Sequence, residues 1–222
     1  MKLASAFWGA LLAPVLLAAC GAGAVAQSGP PADHPRADQW TIGPIIDGRD
    51  YSRAVPLHPV PGPAGAWHID LPQAPGSLHY VTFRHGPLAG RTRIVMRYRI
   101  DAEPGVRIVP ATAPDLPSVI TLYFQRGGDD WSGEGRFEAY RWYATFASQR
   151  PIVPGVHEMA APLNGDWTAV ERSSARNNPA AFRAALAAAD RVGFVLGGGS
   201  GYGHGIYATG RARLTMLDFR VE

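Results

Sequence analysis

Residues 91–100 read RTRIVMRYRI, and that run limits what the chain can fold into. Ile94, Met96, Tyr98 and Ile100 fall on one side, Arg93, Val95, Arg97 and Arg99 on the other. This is the period-two pattern of a strand with one buried and one solvated face, which belongs in an antiparallel sheet packed on one side. Other apolar or β-branched runs lie at 40–46, 67–71, 78–84, 118–126, 152–162, 192–196 and 211–221, with weaker ones at 105–109 and 166–168. The 26 glycines and 20 prolines are spread between them as turn residues. One helix stands out. Asn178 is placed to cap it, Pro179 suits its first turn, and AAFRAALAAAD follows. Roughly nine to eleven strands and one helix predict an all-β jelly-roll β-sandwich with a short helix near residues 179–190.

The N-terminus predicts export. Lys2 precedes an apolar run over residues 3–19, the pattern of a signal peptide. Leu17-Ala18-Ala19-Cys20 resembles a lipobox, which would lipidate Cys20, the chain's one cysteine. Ala24-Val25-Ala26 offers a competing cleavage site that releases a soluble protein. The position of Cys20 after the apolar run favours lipidation and a periplasmic or outer-membrane lipoprotein. Residues 20–39 read as a flexible tether, and 40–222 as the sandwich domain. No disulfide is available, and the lipid is the only membrane attachment expected.

Charge excludes one class of partner. The formal net charge is +3, and Lys2 is the only lysine. No dense basic block exists, so nucleic acid is not an expected partner. GGGSGYGHG does not satisfy G-x-G-x-x-G, and there is no P-loop, H-E-x-x-H, EF-hand loop or G-x-S-x-G elbow. His58, His68, His79, His85 and His157 lie apart, without metal-ligand spacing. A metal site is therefore undefined. A structural calcium would have to draw on Asp47, Asp50 and Asp218, and no cofactor is otherwise expected.

The richest stretch is 118–147, SVITLYFQRGGDDWSGEGRFEAYRWYATFA, which predicts a long hairpin with a polar tip carrying Trp131. Ile120, Leu122 and Phe124 would face the core, turning Thr121, Tyr123 and Gln125 outward. In the partner strand Tyr140, Trp142 and Phe146 share one side, Phe137 and Tyr143 the other. Rings beside Gln, Arg and carboxylates suit sugars, which stack on rings and need fixed polar partners. The candidate ligand-binding residues are Tyr123, Gln125, Arg126, Asp130, Trp131, Glu138, Arg141 and Trp142, with His204 from the glycine-rich loop at 197–205. The competing reading is that both faces of the hairpin are buried. The arginine face of 91–99 has two readings as well: a grip on an acidic polysaccharide, or cross-strand pairing with Glu138, Glu134 or Asp101.

These segments, ending in a strand where Ala212, Leu214, Met216 and Phe219 form a small-x-apolar-x-apolar-x-x-apolar run, resemble the galactose-binding-like β-sandwiches of carbohydrate-binding modules. The chain is also similar to exported proteobacterial proteins that offer no function to transfer. The resemblance implies an exported, non-catalytic carbohydrate-binding protein. Two other classes stay open: a polysaccharide lyase or glycosidase using Glu138 or Asp130 with His204 or a tyrosine, and a structural or assembly lipoprotein of the envelope. Arg136-Phe137-Glu138 resembles a strand motif of alginate-lyase-type sandwiches. The companion Gln-x-His element is missing, so no catalytic role is carried over.

Overall fold

The computed structural model describes residues 34–198 and 202–222, all within one compact unit. The signal segment, Cys20 and the first part of the tether lie outside the described residues. The last tether residues already belong to the domain: Ala37 is buried in a 3-10 turn, and the Trp40 indole donates to the Pro35 carbonyl at 3.1 Å. Among the described residues no helix is long and apolar enough to cross a membrane.

Nine strands carry the architecture. They are β1 (Trp40–Gly43), β2 (Trp67–Asp70), β3 (Tyr80–Arg84), β4 (Arg93–Ala102), β5 (Ser118–Arg126), β6 (Arg141–Tyr143), β7 (Gly155–Pro162), β8 (Ala189–Gly198) and β9 (Ala212–Val221), with helix α1 at Pro179–Ala187. One sheet runs β1-β3-β8-β5-β6 and gains the short Thr168–Ala169 and Arg150–Pro151 strands, giving seven strands among the described residues. The other runs β7-β4-β9-β2 and gains Val60–Pro61, giving five. The orders β3-β8-β5-β6 and β2-β9-β4-β7 are those of a jelly roll, in which consecutive long strands cross between two antiparallel sheets. The protein is an all-β sandwich.

Register decides what each sheet buries. Across the seven-stranded sheet, Trp40, Phe83, Val192, Phe124 and Trp142 form one inward row, and Ile42, Val81, Phe194 and Leu122 a second. They meet Trp67, Met96, Tyr98 and Phe219 of the facing sheet in one continuous core. Trp40 sits at its centre, 4.7–5.1 Å from the rings of Trp67, Phe83 and Phe219. Each such side chain, fully buried, contributes about 1.5–3 kcal/mol. At the other end α1 lays Phe182 against Trp142 (4.8 Å) and Phe124 (5.8 Å).

Several sequence expectations are corrected. The long hairpin is not formed: β5 pairs with only three residues of β6, and residues 127–140 are a loop with a 3-10 turn at Gly135–Ala139. Positive φ at Gly128, Trp131, Gly133 and Gly135 turns the chain away from extended structure. The main partner of β5 is β8. Helix α1 stops at Ala187, because Ala189 and Asp190 already belong to β8, and Asn178 occupies the N-cap without a side-chain hydrogen bond. The short strand expected at 105–109 is Ile108–Pro110, paired with Ile206–Ala208. In the closing strand Ala212, Leu214, Met216 and Phe219 all point inward. The doubled spacer before Phe219 is a β-bulge between Met216 and Asp218.

The arginine face is solvated, and two of its members, Arg93 and Arg99, are paired with acids. Arg99 bonds Asp101 (2.8 Å), Arg213 bonds Asp70 (2.7 Å), Arg93 bonds Glu222 (2.7 Å), and Arg220 reaches Asp218 and Glu222. Of the expected partners only Asp101 takes part; Glu134 and Glu138 lie in the loop of the other sheet. Exposed pairs of this kind contribute about 0–1 kcal/mol each.

Two substitutions test this packing. Trp142→Ala removes a ring with no exposed surface and should cost about 3–5 kcal/mol in urea unfolding. At Gly193 an added β-carbon would lie 2.1 Å from the Val81 carbonyl oxygen. Gly193→Ala should therefore lower the urea midpoint by the equivalent of about 1–3 kcal/mol or more; an unshifted midpoint would show that β3 and β8 can move apart freely.

Candidate functional site

The alternation that sends Phe83, Val192 and Phe124 inward sends their neighbours to the outer face of the seven-stranded sheet. Three outer rows result: Gly43-Tyr80-Val195-Thr121, Thr41-Thr82-Gly193-Tyr123-Tyr143, and Arg84-Arg191-Gln125-Arg141. Two segments cover part of this face. Tyr202 stacks on Tyr143 at 4.8 Å and 19°. From the loop 127–140, Trp131 stands edge-on to Tyr80 at 5.4 Å. Beneath them Tyr80, Tyr123, Tyr143 and Val195 make a second buried cluster. The Tyr80 and Tyr143 hydroxyls are 2.8 Å apart, while the buried Tyr123 hydroxyl has no hydrogen-bond partner. Burial raises the pKa of all three phenols, which keeps them neutral.

The loop is held by a buried ion pair. The Asp129 side chain has no exposed surface and that of Arg141 is 8% exposed; Nε lies 3.2 Å from Oδ2. Asp129 accepts from the Gln125 amide (2.9 Å) and from the Trp131 backbone N–H (3.2 Å). Arg141 donates to the Trp131 carbonyl (3.0 Å) and lies over its ring at 4.9 Å. Burial pushes the Asp129 carboxyl above its ordinary range, against the pull of Arg141, the Trp131 amide and Gln125. These contacts hold Trp131 at φ 67°, a left-handed conformation that costs a residue of this size about 1–3 kcal/mol.

Beside Trp131 the cover ends and a pocket of about 190 Å³ opens. Tyr80, Thr82, Gln125, Arg126, Asp129, Trp131, Asp190 and Arg191 line it, together with Thr41 and residues 43–45 of the β1 exit. The volume is below the roughly 300–1,000 Å³ of drug-sized sites and suits one ring-sized group. Arg126 stacks on Tyr140 at 4.6 Å, and the one hydrogen bond of the Arg191 side chain among the described residues goes to the Thr82 hydroxyl, at 3.4 Å.

Of the residues expected from the sequence, Gln125, Arg126 and Trp131 line the pocket. Trp131 is not at an open tip but folded back onto the sheet. Trp142 faces the inter-sheet core and does not line the pocket. Tyr123 is likewise fully buried, and Arg141 is occupied by Asp129 and Trp131. Asp130 turns out to solvent and bonds Ser132 (2.7 Å). Glu138 and His204 are exposed and do not reach the pocket wall. Tyr80, Thr82, Asp129, Asp190 and Arg191 were missed. The alternation of Tyr80, Thr82 and Arg84 with Val81 and Phe83 marked two of them as a non-core face. Asp47, Asp50 and Asp218 do not gather: Asp50 bonds the Ser52 amide, and Asp218 pairs with His34 and Arg220. Among the described residues no group of three potential ligands could hold a metal ion. No protein-family model matches this chain, and no curated protein is similar to it.

The glycines near His204 serve close approach. A β-carbon on Gly203 would strike the Tyr80 ring at 2.3 Å, and one on Gly205 the His79 ring at 2.6 Å. His79 lies beneath, with Nδ1 3.0 Å from the Gly203 carbonyl and Nε2 2.9 Å from the Ser77 hydroxyl. The neutral ring that donates from Nδ1 and accepts at Nε2 satisfies both. Burial lowers its pKa below the ordinary 6.5. The unfolded chain then binds the proton more readily, so stability should fall as pH drops through about 6.5 and level off below the folded-state value. Urea midpoints between pH 7 and 5 should show this loss in the wild type and less of it in His79→Gln; equal slopes would remove His79 as the cause.

Proposed function

We propose that this is an exported, non-catalytic glycan-binding protein, a jelly roll of the galactose-binding-like kind, lipidated at Cys20 and held in the cell envelope. The observation that carries the reading is the pocket at the edge of the Trp131 cover. One wall is an indole fixed by its own backbone, and the others offer the Gln125 amide, the Thr82 hydroxyl and two guanidiniums. Sugars need that combination of a ring face and immobile polar partners.

An acid–base enzyme has less support. Asp130 is bonded to Ser132, and Glu138 and His204 are not on the pocket wall. Of the two carboxylates that do line it, Asp129 is enclosed by Arg141 and Gln125, and Asp190 is bonded to Arg84 at 2.9 Å. Neither is placed to exchange a proton with a bound sugar.

Screening the full chain on a glycan array should reveal at least one bound class. Trp131→Ala keeps the backbone groups that bond Asp129 and Arg141 but removes the ring, and should weaken the best ligand about tenfold, roughly 1.4 kcal/mol. Retention of no glycan, or wild-type affinity in Trp131→Ala, would defeat the proposal.

A further inference from the structure

Resting on the glycan reading above, we infer that the pocket is an anion seat, and that the bound sugar carries a carboxylate gripped by Arg191 and Arg126. The register sets this up. Arg191 is flanked across the sheet by Arg84 on β3 and Gln125 on β5. Directly opposed like charges repel, and the bulge between Ala189 and Arg191 lies in the pairing of β8 with β5, leaving the Arg84–Arg191 register in place. The extra residue is Asp190, whose carboxylate goes to Arg84. Arg191 is left half-buried, with one long contact to a neutral hydroxyl and no ion pair among the described residues. Arg126, which also lines the pocket, has its cation over the Tyr140 ring and likewise no carboxylate within ion-pair reach among the described residues.

The buried Asp129 contributes no free negative charge, because Arg141 neutralises it. The pocket is lined by two guanidiniums, Arg126 and Arg191, and by two carboxylates, Asp129 and Asp190, which are paired with Arg141 and Arg84. Burial lowers the pKa of Arg191 and Arg84 lowers it further, against Asp190 and Tyr123, which raise it; a ligand anion would offset the burial and the repulsion. A planar guanidinium matches a carboxylate through two parallel N–H donors. The contrast with the outer face of the five-stranded sheet is direct. There Arg93, Arg99, Arg213 and Arg220 are each paired with an Asp or Glu, and Arg97, without an ion pair among the described residues, lies opposite Glu158 and Asp218 in the register.

The test is titration calorimetry of the full chain with uronic-acid oligosaccharides, each beside its carboxyl-reduced neutral form, and with citrate as a non-sugar carboxylate. The expected result is that one acidic oligosaccharide binds at least tenfold more tightly than its reduced form and than citrate. Its affinity should drop several-fold as salt rises from about 0.05 to 0.5 M. Arg191→Met and Arg126→Met should each cost about tenfold or more, and Arg191→Lys less, while Arg99→Met on the opposite sheet changes nothing. Equal affinity for acidic and reduced forms overturns the anion seat and leaves the glycan reading standing. Citrate binding as tightly as the acidic sugar keeps the seat and removes the glycan. Binding of none of them overturns the anion seat, and the glycan array decides the glycan reading. If the Arg191 variants do not fold, the acidic-to-reduced ratio and the salt dependence of the wild type still decide.

Discussion

A carboxylate without exposed surface needs a partner, and the pairing of Asp129 with Arg141 is the constraint on which the rest of the site depends. Breaking such a pair costs about 3–5 kcal/mol, whereas replacing both members by apolar groups is often neutral. What the pair contributes is a fixed conformation. Asp129 leads the loop out of β5 and Arg141 begins β6, so closing them together sets the two ends of residues 127–140. The Trp131 amide bonds to one member and its carbonyl to the other. With both backbone groups taken, the residue stays in a left-handed conformation that a tryptophan would otherwise leave, and its ring is set down on Tyr80.

The two sheets solve different problems with the same alternation. The five-stranded sheet turns one face to water, and its charges cancel locally, as in any antiparallel sheet with one solvated side. The seven-stranded sheet buries Phe124 and Phe194 on one side and Tyr123 and Tyr143 on the other. Its outer core contains phenols, an amide and an ion pair in place of aliphatic carbons. Buried polar groups must satisfy one another, and most here do: Tyr80 with Tyr143, Gln125 with Asp129, Arg141 with Trp131. The Tyr123 hydroxyl has no hydrogen-bond partner, as is also true of the Tyr98 hydroxyl in the inter-sheet core.

This difference governs how much could be read from the sequence. The strand at 93–102 was legible because one face is solvated, so that arginines mark one side and aliphatics the other. The doubled spacer before Phe219 was legible because a bulge adds one residue to an otherwise strict alternation. The 118–147 stretch was not. When both faces are buried, the period-two signal loses its polar half, and Trp142 and Tyr143, adjacent and both aromatic, give no hint which enters which core. Nor does anything local separate Asp129 from Asp130. One neutralises a buried arginine and the other caps a serine turn, and the partner that decides it lies across the loop in sequence. Arg191 was invisible for a related reason. Its isolation follows from its register against Arg84, a pairing between strands more than a hundred residues apart.

The pocket itself is what the two covering segments leave undone. Tyr202 closes the outer face over Tyr143, and the loop of Trp131 closes it over Tyr80, Gln125 and Arg141, but Arg191, in one row with Gln125 and Arg141, stays half-buried. That row lies at the end of the sheet where the bulge at Asp190 begins β8 and where β5 runs out into its loop. The floor is therefore polar because it is the part of the outer face that no described segment fully covers. Its guanidiniums remain uncompensated because the one acid available on β8 has been turned toward Arg84. A buried aromatic cluster supplies the rigid wall, the ion pair holds that wall in place, and the missing cover leaves the space. The charge left over in that space is positive, which favours an acidic sugar over a neutral one.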